Sequence, residues 1–226
     1  MDTALITGAS RGLGLALARE LARRSWRLVI DARGARELEA ARAELAATTE
    51  VTAIAGDVAD PEHRRALVAA TGPRIDLLVN NASVLGPSPQ PALADYPLAA
   101  LEGVYRVNVL GPLGLVQAAL PALHVGATVI NVTSDAAVEA YEGWGGYGSS
   151  KAALEHLTRT LAAEHPELRF LAVDPGDMNT RMQQDAFPGE DISDRPPPEA
   201  SVPALLALAA GNAPSGRYQT SAVPAG

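Results

Sequence analysis

Five times in succession this sequence passes from a short run of β-type residues to a helix-length segment with apolar positions at helical spacing, and that alternation leaves few folds open. The runs at 3–7, 27–31, 51–55, 75–80, 127–132 and 169–173 are apolar along their length, as strands buried on both faces must be. Segments 12–23, 35–47, 61–70, 98–123 and 148–164 stand between them with the apolar face that a crossover helix needs. Parallel neighbours require such crossovers, so the expected fold is an α/β, doubly wound parallel sheet with helices on both faces. A last helix at 198–210 and a strand near 217–220 bring the count to about seven strands. The stretch 185–198 is rich in proline and acids, which predicts a loop at the carboxyl end of the sixth strand, where open sheets bind ligands.

With 226 residues the chain suits a single domain, 1–226, in which 185–198 forms a substrate-side loop. A net charge of -8 disfavours nucleic acid and anionic membrane surfaces as partners. There is no cysteine, and His63, His124, His156 and His165 lack ligand spacing, so no metal site is expected. The first residues show no basic region followed by an apolar stretch, and no run reaches about 18 apolar residues, which predicts a cytoplasmic protein.

Two local patterns carry chemistry. Thr7-Gly8-Ala9-Ser10-Arg11-Gly12-Leu13-Gly14 follows the first expected strand and opens into a helix. Glycines at such a turn let the backbone approach a pyrophosphate, and the N–H groups of the helix N-terminus favour the anion. Its spacing differs from the common G-x-G-x-x-G, so its place between strand and helix carries the reading. The second pattern concerns the cations: 17 of the 18 basic residues are arginine, and the sole lysine, Lys151, follows Tyr147 by four positions. On a helix this puts both on one face, where an ammonium can lower the pKa of a phenol and donate to a ribose hydroxyl. Tyr141, with Gly145 four positions on, has no such partner.

Further motifs follow in order: Gly56-Asp57-Val58, Asn80-Asn81-Ala82-Ser83, Asn108, Ser134 with Tyr147-Gly148-Ser149-Ser150-Lys151, and Asp174-Pro175-Gly176-Asp177-Met178-Asn179-Thr180. With the glycine turn, they make the chain resemble the short-chain dehydrogenase/reductase (SDR) family from residue 3 to about residue 180. The resemblance implies a Rossmann fold and hydride transfer between a nicotinamide and a carbonyl or alcohol. It implies Tyr147 as general acid/base, Lys151 as its tuner and a ribose ligand, Ser134 as orienter of the substrate oxygen, and Asn108 as holder of a water linked to the lysine. For the cofactor it implies Gly8, Ser10, Arg11, Gly12, Leu13 and Gly14 at the glycine turn, Asp57 and Val58 near the adenine, Asn80 and Ala82 along the trough, and Pro175, Gly176, Met178 and Thr180 at the nicotinamide. A homodimer or homotetramer is implied too. Ser83 departs from the pattern, since the family commonly has glycine there.

At the end of the second strand stand Asp31-Ala32-Arg33. By the family's spacing the acid that selects NAD falls at Ala32 and the arginine that selects NADP at Arg33, with Arg11 as a second cation. NADP(H) is therefore favoured over NAD(H), against which Asp31 would repel a 2′-phosphate if its carboxylate faced the ribose. An NAD(H)-dependent alcohol dehydrogenase and a non-catalytic dinucleotide-binding sensor or scaffold remain alternatives. Trp144, Tyr141 and Met178 are candidates for an apolar pocket that suits a ketone with an apolar or aromatic body.

Overall fold

The computed structural model describes residues 1–223; the last three residues of the expected 1–226 unit lie outside the described residues. Seven strands, β1 (Thr3–Ile6), β2 (Arg27–Ala32), β3 (Val51–Ala55), β4 (Ile75–Asn80), β5 (Leu123–Val132), β6 (Arg169–Asp174) and β7 (Gly216–Gln219), form one parallel sheet in the order β3-β2-β1-β4-β5-β6-β7. The doubly wound Rossmann architecture expected from the alternation is thus the observed one. The chain builds outward from β1 to β3, returns to the middle, and builds from β4 to the other edge. That reversal between β1 and β4 opens a crevice at the carboxyl ends of the strands.

Alternation along each strand divides the interior into two cores. Ala4, Ile6, Leu28, Ile30, Val79, Ile130 and Val173 face helices α1 (Gly12–Arg23), α2 (Ala35–Leu45) and α8 (Val202–Ala210). Leu5, Val29, Leu78, Val129 and Phe170 face α3 (Pro61–Thr71), α5 (Gly111–Ala119) and α6 (Gly145–Glu164). Each large side chain buried this way contributes about 1.5–3 kcal/mol, and sheet residues covered on both sides explain why the strands read as unbroken apolar runs. Among the described residues no helix is long and apolar enough to cross a membrane.

The expected 98–123 helix divides. It comprises α4 (Leu98–Tyr105), a π-helical turn over Arg106–Leu110, and α5, after which β5 already begins at Leu123. Pro112 has no N–H and cannot supply the donor that an α-helix would bring to the Asn108 carbonyl, so the ladder widens there. A short helix, α7 (Arg181–Ala186), takes up the start of the stretch expected to be loop; Thr180 caps it by accepting a hydrogen bond from Gln183 N at 3.3 Å. The segment 198–210 starts as a single 3-10 turn before α8.

Two glycines set opposite expectations. Gly103 sits in α4 with open space around a built Cβ, so Gly103→Ala raises stability by about 0.5–1 kcal/mol, read as an increased urea midpoint. At Gly14 a Cβ would lie 2.6 Å from both Gly8 O and Asn81 Nδ2, so Gly14→Ala lowers stability by at least about 1 kcal/mol, read as a decreased urea midpoint.

Candidate active site

The glycine turn is held by its neighbours rather than by itself. Thr7 Oγ1 accepts from the backbone N–H groups of Asn81 and Ala82, both at 3.0 Å, while Asn81 Nδ2 donates to Thr7 O at 2.8 Å and Gly8 O at 3.1 Å. Gly8 has φ +67°, and a Cβ there would meet Ala82 Cα at 2.9 Å, so both conformation and space require glycine. Beyond this junction a cleft of about 840 Å3 runs along the carboxyl ends of the strands. Gly8, Ser10, Arg11, Gly12, Leu13, Arg33, Asp57, Val58, Ala82, Ser134, Tyr147, Lys151, Pro175, Gly176, Met178 and Thr180 all line it.

Three expected residues do not reach the cleft. Asn80 points into the sheet, where its Nδ2 donates to Asn131 Oδ1 at 2.7 Å and Asn131 Nδ2 donates to Thr158 Oγ1 at 2.8 Å. Its neighbour Asn81 takes the place at the cleft wall, because successive residues leave a strand in opposite directions. Gly14 lies beneath the turn as a packing residue. Asn108 is fully buried, and its amide is saturated: Oδ1 accepts from Ser83 Oγ at 3.1 Å and Val84 N at 2.9 Å, and Nδ2 donates to Val84 O at 2.9 Å and Ser150 Oγ at 3.0 Å. The side chain therefore pins the loop after β4 to α6 and makes no hydrogen bond to Lys151. Ser83 contributes the hydroxyl that a glycine would lack.

At the β2 end the carboxylate of Asp31 turns inward. Oδ1 accepts from Gly8 N at 2.8 Å, and Oδ2 lies 2.9 Å from His63 Nε2. With 1% of its surface exposed, it is engaged within the fold. Arg11 and Arg33, by contrast, are exposed at the cleft and form no ion pair among the described residues. The trough thus offers glycine-turn N–H groups for a pyrophosphate and two free guanidinium groups at its β2 end, a donor set that fits a phosphorylated dinucleotide.

At the other end, Lys151 Nζ donates to Val132 O at 2.8 Å and lies 5.4 Å from the centre of the Tyr147 ring. Burial pushes the ammonium down to about 8. The phenol of Tyr147 is pushed well above its ordinary value, by burial first and then by the carboxylates of Asp174 and Asp135; the hydroxyls of Ser83 and Ser134 oppose this. The expected lowering by Lys151 is thus reversed, because burial and then carboxylates from other segments of the chain outweigh it. Ser134 Oγ donates to Asp135 Oδ1 at 2.8 Å, and the other carboxylate oxygen accepts from Tyr141 OH at 3.0 Å. Tyr141 is therefore tied to Asp135 at the surface, outside the cleft.

The outer wall is aromatic. Trp144 stands edge-on to Tyr147 with centroids 5.9 Å apart, Phe187 lies 5.9 Å beyond it, and Met182 and Ala186 of α7 pack against the same cluster. Arg195 covers Phe187 at 4.7 Å from the ring centre. Segment 181–198 is fastened at both sides, by Ser88 Oγ donating to Asp185 O at 2.6 Å and Asn179 N donating to Pro196 O at 2.8 Å. Met182, Phe187 and Arg195 were not legible as site residues, since no motif marks them.

Comparison with known proteins agrees with this geometry. Residues 2–191 match the family model described as short chain dehydrogenase. Mouse sepiapterin reductase is 34% identical over 197 residues, covering 80% of this chain and 76% of that protein. The rhamnolipid-biosynthesis 3-oxoacyl-[acyl-carrier-protein] reductase of Pseudomonas aeruginosa is 37% identical over 193 residues, covering 79% and 73%. The structure of an alcohol dehydrogenase from the archaeon Thermococcus sibiricus, complexed with 5-hydroxy-NADP, superimposes with a TM-score of 0.86 at 28% identity, covering 97% of this chain and 95% of that one.

Lys151 is 2% exposed and makes no ion pair among the described residues, so its charge burdens the fold. Because its pKa falls from the ordinary value of 10.5 to about 8 on folding, the unfolded chain binds more protons between those values, and stability rises with pH across that window. Lys151→Met should raise stability at neutral pH by about 1–2 kcal/mol, with the gain shrinking above pH 8. Thermal unfolding of both proteins against pH checks this; an unchanged or lower Tm at neutral pH contradicts it.

Proposed function

The chain belongs to the short chain dehydrogenase family and is an oxidoreductase that acts between C=O and CH-OH with a nicotinamide dinucleotide, and from that premise we propose an NADP(H)-dependent carbonyl reductase with Tyr147 as its general acid/base. The observation that carries the proposal is the pairing of two ends of one cleft: free Arg11 and Arg33 beside a withdrawn Asp31, and Tyr147, Lys151 and Ser134 at the far wall. The NADP-type ligand of the archaeal relative points the same way.

The glycine turn and the N-terminus of α1 would hold the pyrophosphate, and Arg11 and Arg33 the 2′-phosphate. Asp57 and Val58 would border the adenine, Lys151 a ribose, and Pro175, Gly176, Met178 and Thr180 the nicotinamide end. When bound, the cofactor supplies the hydride. Ser134 would turn its hydroxyl from Asp135 to the substrate oxygen, and Tyr147 would protonate the alkoxide as it forms. A raised phenol pKa is compatible with that step, since an alkoxide is about as basic as hydroxide, whose conjugate acid has a pKa of about 15.7. The phenol stays protonated at neutral pH and still yields its proton downhill. In the oxidative direction the same raised pKa leaves little phenolate at neutral pH, so oxidation gains rate as the pH rises.

Trp144, Phe187, Met182 and Leu85 beside Tyr147 support a ketone with an apolar or aromatic body as substrate. One unit of residues 1–226 would carry both sites, with 185–198 as the substrate-side cover. Leu98 and Leu110, 79% and 55% exposed on the helices after β4, support association into a homodimer or homotetramer.

Tyr147→Phe should lower kcat for reduction of an aryl ketone by NADPH by at least about 100-fold while the Kd for NADPH moves by less than about threefold. Retained turnover removes Tyr147 from the role. Arg33→Ala should weaken NADPH binding by about tenfold and leave NADH nearly unchanged, measured by fluorescence titration; equal losses for both cofactors contradict the phosphate-reading role.

A further inference from the structure

One face of α6 carries Tyr147, Lys151 and Glu155 at successive spacings of four, and the edge strand β7 reaches into the end of that line with a single side chain. Arg217 Nε donates to Glu155 Oε1 at 2.9 Å. Its Nη2 donates to Asp174 Oδ2 at 3.1 Å and to the Ser134 carbonyl at 3.3 Å. The side chains of both carboxylates are almost wholly buried, 4% exposed for Glu155 and 6% for Asp174, and Arg217 itself is 24% exposed. One guanidinium therefore joins the ends of β5, β6 and β7 to the helix that presents the phenol.

Each carboxylate has other partners, none of which replaces that cation. Glu155 also accepts from Thr133 Oγ1 at 2.8 Å, and the mostly exposed Arg159 lies 3.9 Å from its second oxygen. Asp174 accepts from Gly176 N at 3.0 Å and Gln219 Nε2 at 3.3 Å, both neutral donors. Asp174 sits on the cleft wall with Tyr147, and it begins the Pro175-Gly176 turn. Without Arg217, a buried negative charge would face the phenol with no positive counterpart other than Lys151, whose Nζ is committed to Val132 O.

We propose that Arg217 is a positioning residue for the proton donor: it fixes the Asp174 carboxylate and the Ser134 carbonyl, and it offsets part of the charge that Asp174 imposes on Tyr147. The inference rests on Tyr147 acting as general acid/base. The charged groups facing Tyr147 are Asp174 from β6, Asp135 from the turn after β5, and Lys151 from its own helix, with the hydroxyls of Ser83 and Ser134 beside them. After burial, Asp174 holds the phenol up more than Asp135 does, so of the two carboxylates it is the one whose charge matters more to Tyr147.

The test is the pH profile of kcat/KM for alcohol oxidation with NADP+, in which the rising alkaline limb reports formation of the Tyr147 phenolate. Arg217→Met should move the midpoint up by about one unit, a tenfold loss at fixed pH on the rising limb. Arg217→Met with Asp174→Asn should bring it back to within a few tenths of the parent's, and Arg217→Lys should fall between. A uniform loss of rate with an unmoved midpoint, or a shift that persists in the double variant, overturns the proposal. Should Arg217→Met fail to fold, Asp174→Asn alone decides: its midpoint must fall below the parent's, and an unchanged midpoint refutes the role. A parent without turnover counts against the reductase reading instead. Tyrosinate difference titration, parent against Tyr147→Phe, with and without Asp174→Asn, then reads the same shift without turnover.

Discussion

The carboxylate of Asp31 lies where the glycine turn, the end of β2 and the start of α3 meet, and the geometry of the cofactor trough follows from its two contacts. One oxygen holds the Gly8 N–H and the other lies against the His63 ring nitrogen, so the turn is fixed from below by a carboxylate with a partner on each oxygen. A buried carboxylate without such partners would cost several kcal/mol, which makes the arrangement all or nothing. It also explains a glycine of the Gly56-Asp57-Val58 motif, since a Cβ at Gly56 would run into the His63 ring. The same contacts that shape the turn hold both oxygens of that acid inside the fold, and Arg11 and Arg33 are the cations presented at this end of the cleft, whose lining also includes Glu37 and Asp57.

Much of this architecture is legible in the sequence because its signals are local. Strand and helix periods, the glycine turn after β1, and a lone lysine four residues after a tyrosine all lie within short windows. What the sequence conceals depends on partners far away in the chain. The direction of the Asp31 carboxylate depends on His63, 32 residues further on. The choice between Asn80 and Asn81 for the cleft wall depends on which face of β4 turns inward. The π-helical turn at Asn108 was readable in principle from Gly111-Pro112, which denies a donor to the preceding ladder. Helix α7 is short, and its register is set by packing on Trp144 rather than by propensity.

The electrostatics of Tyr147 show the same division. Spacing alone pairs Tyr147 with Lys151 and predicts a more acidic phenol. The assembled site adds Asp174 and Asp135 from strand ends and buries both members of the pair, so the phenol rises and the ammonium falls to about 8. Such a site is less stable than an apolar one of the same shape, a pattern expected where groups are arranged for chemistry. Asn108, saturated by Ser83, Val84 and Ser150, provides the rigid support behind it.

The central claim is that a withdrawn Asp31 and two free guanidinium groups make this cleft a site for NADP(H). A paired titration of the unaltered protein with NADPH and NADH at one ionic strength, followed by cofactor fluorescence, tests it most directly. NADPH should bind at least about tenfold more tightly, a difference of about 1.4 kcal/mol. Equal or tighter binding of NADH would contradict the account and return the selecting role to an acid at the end of β2.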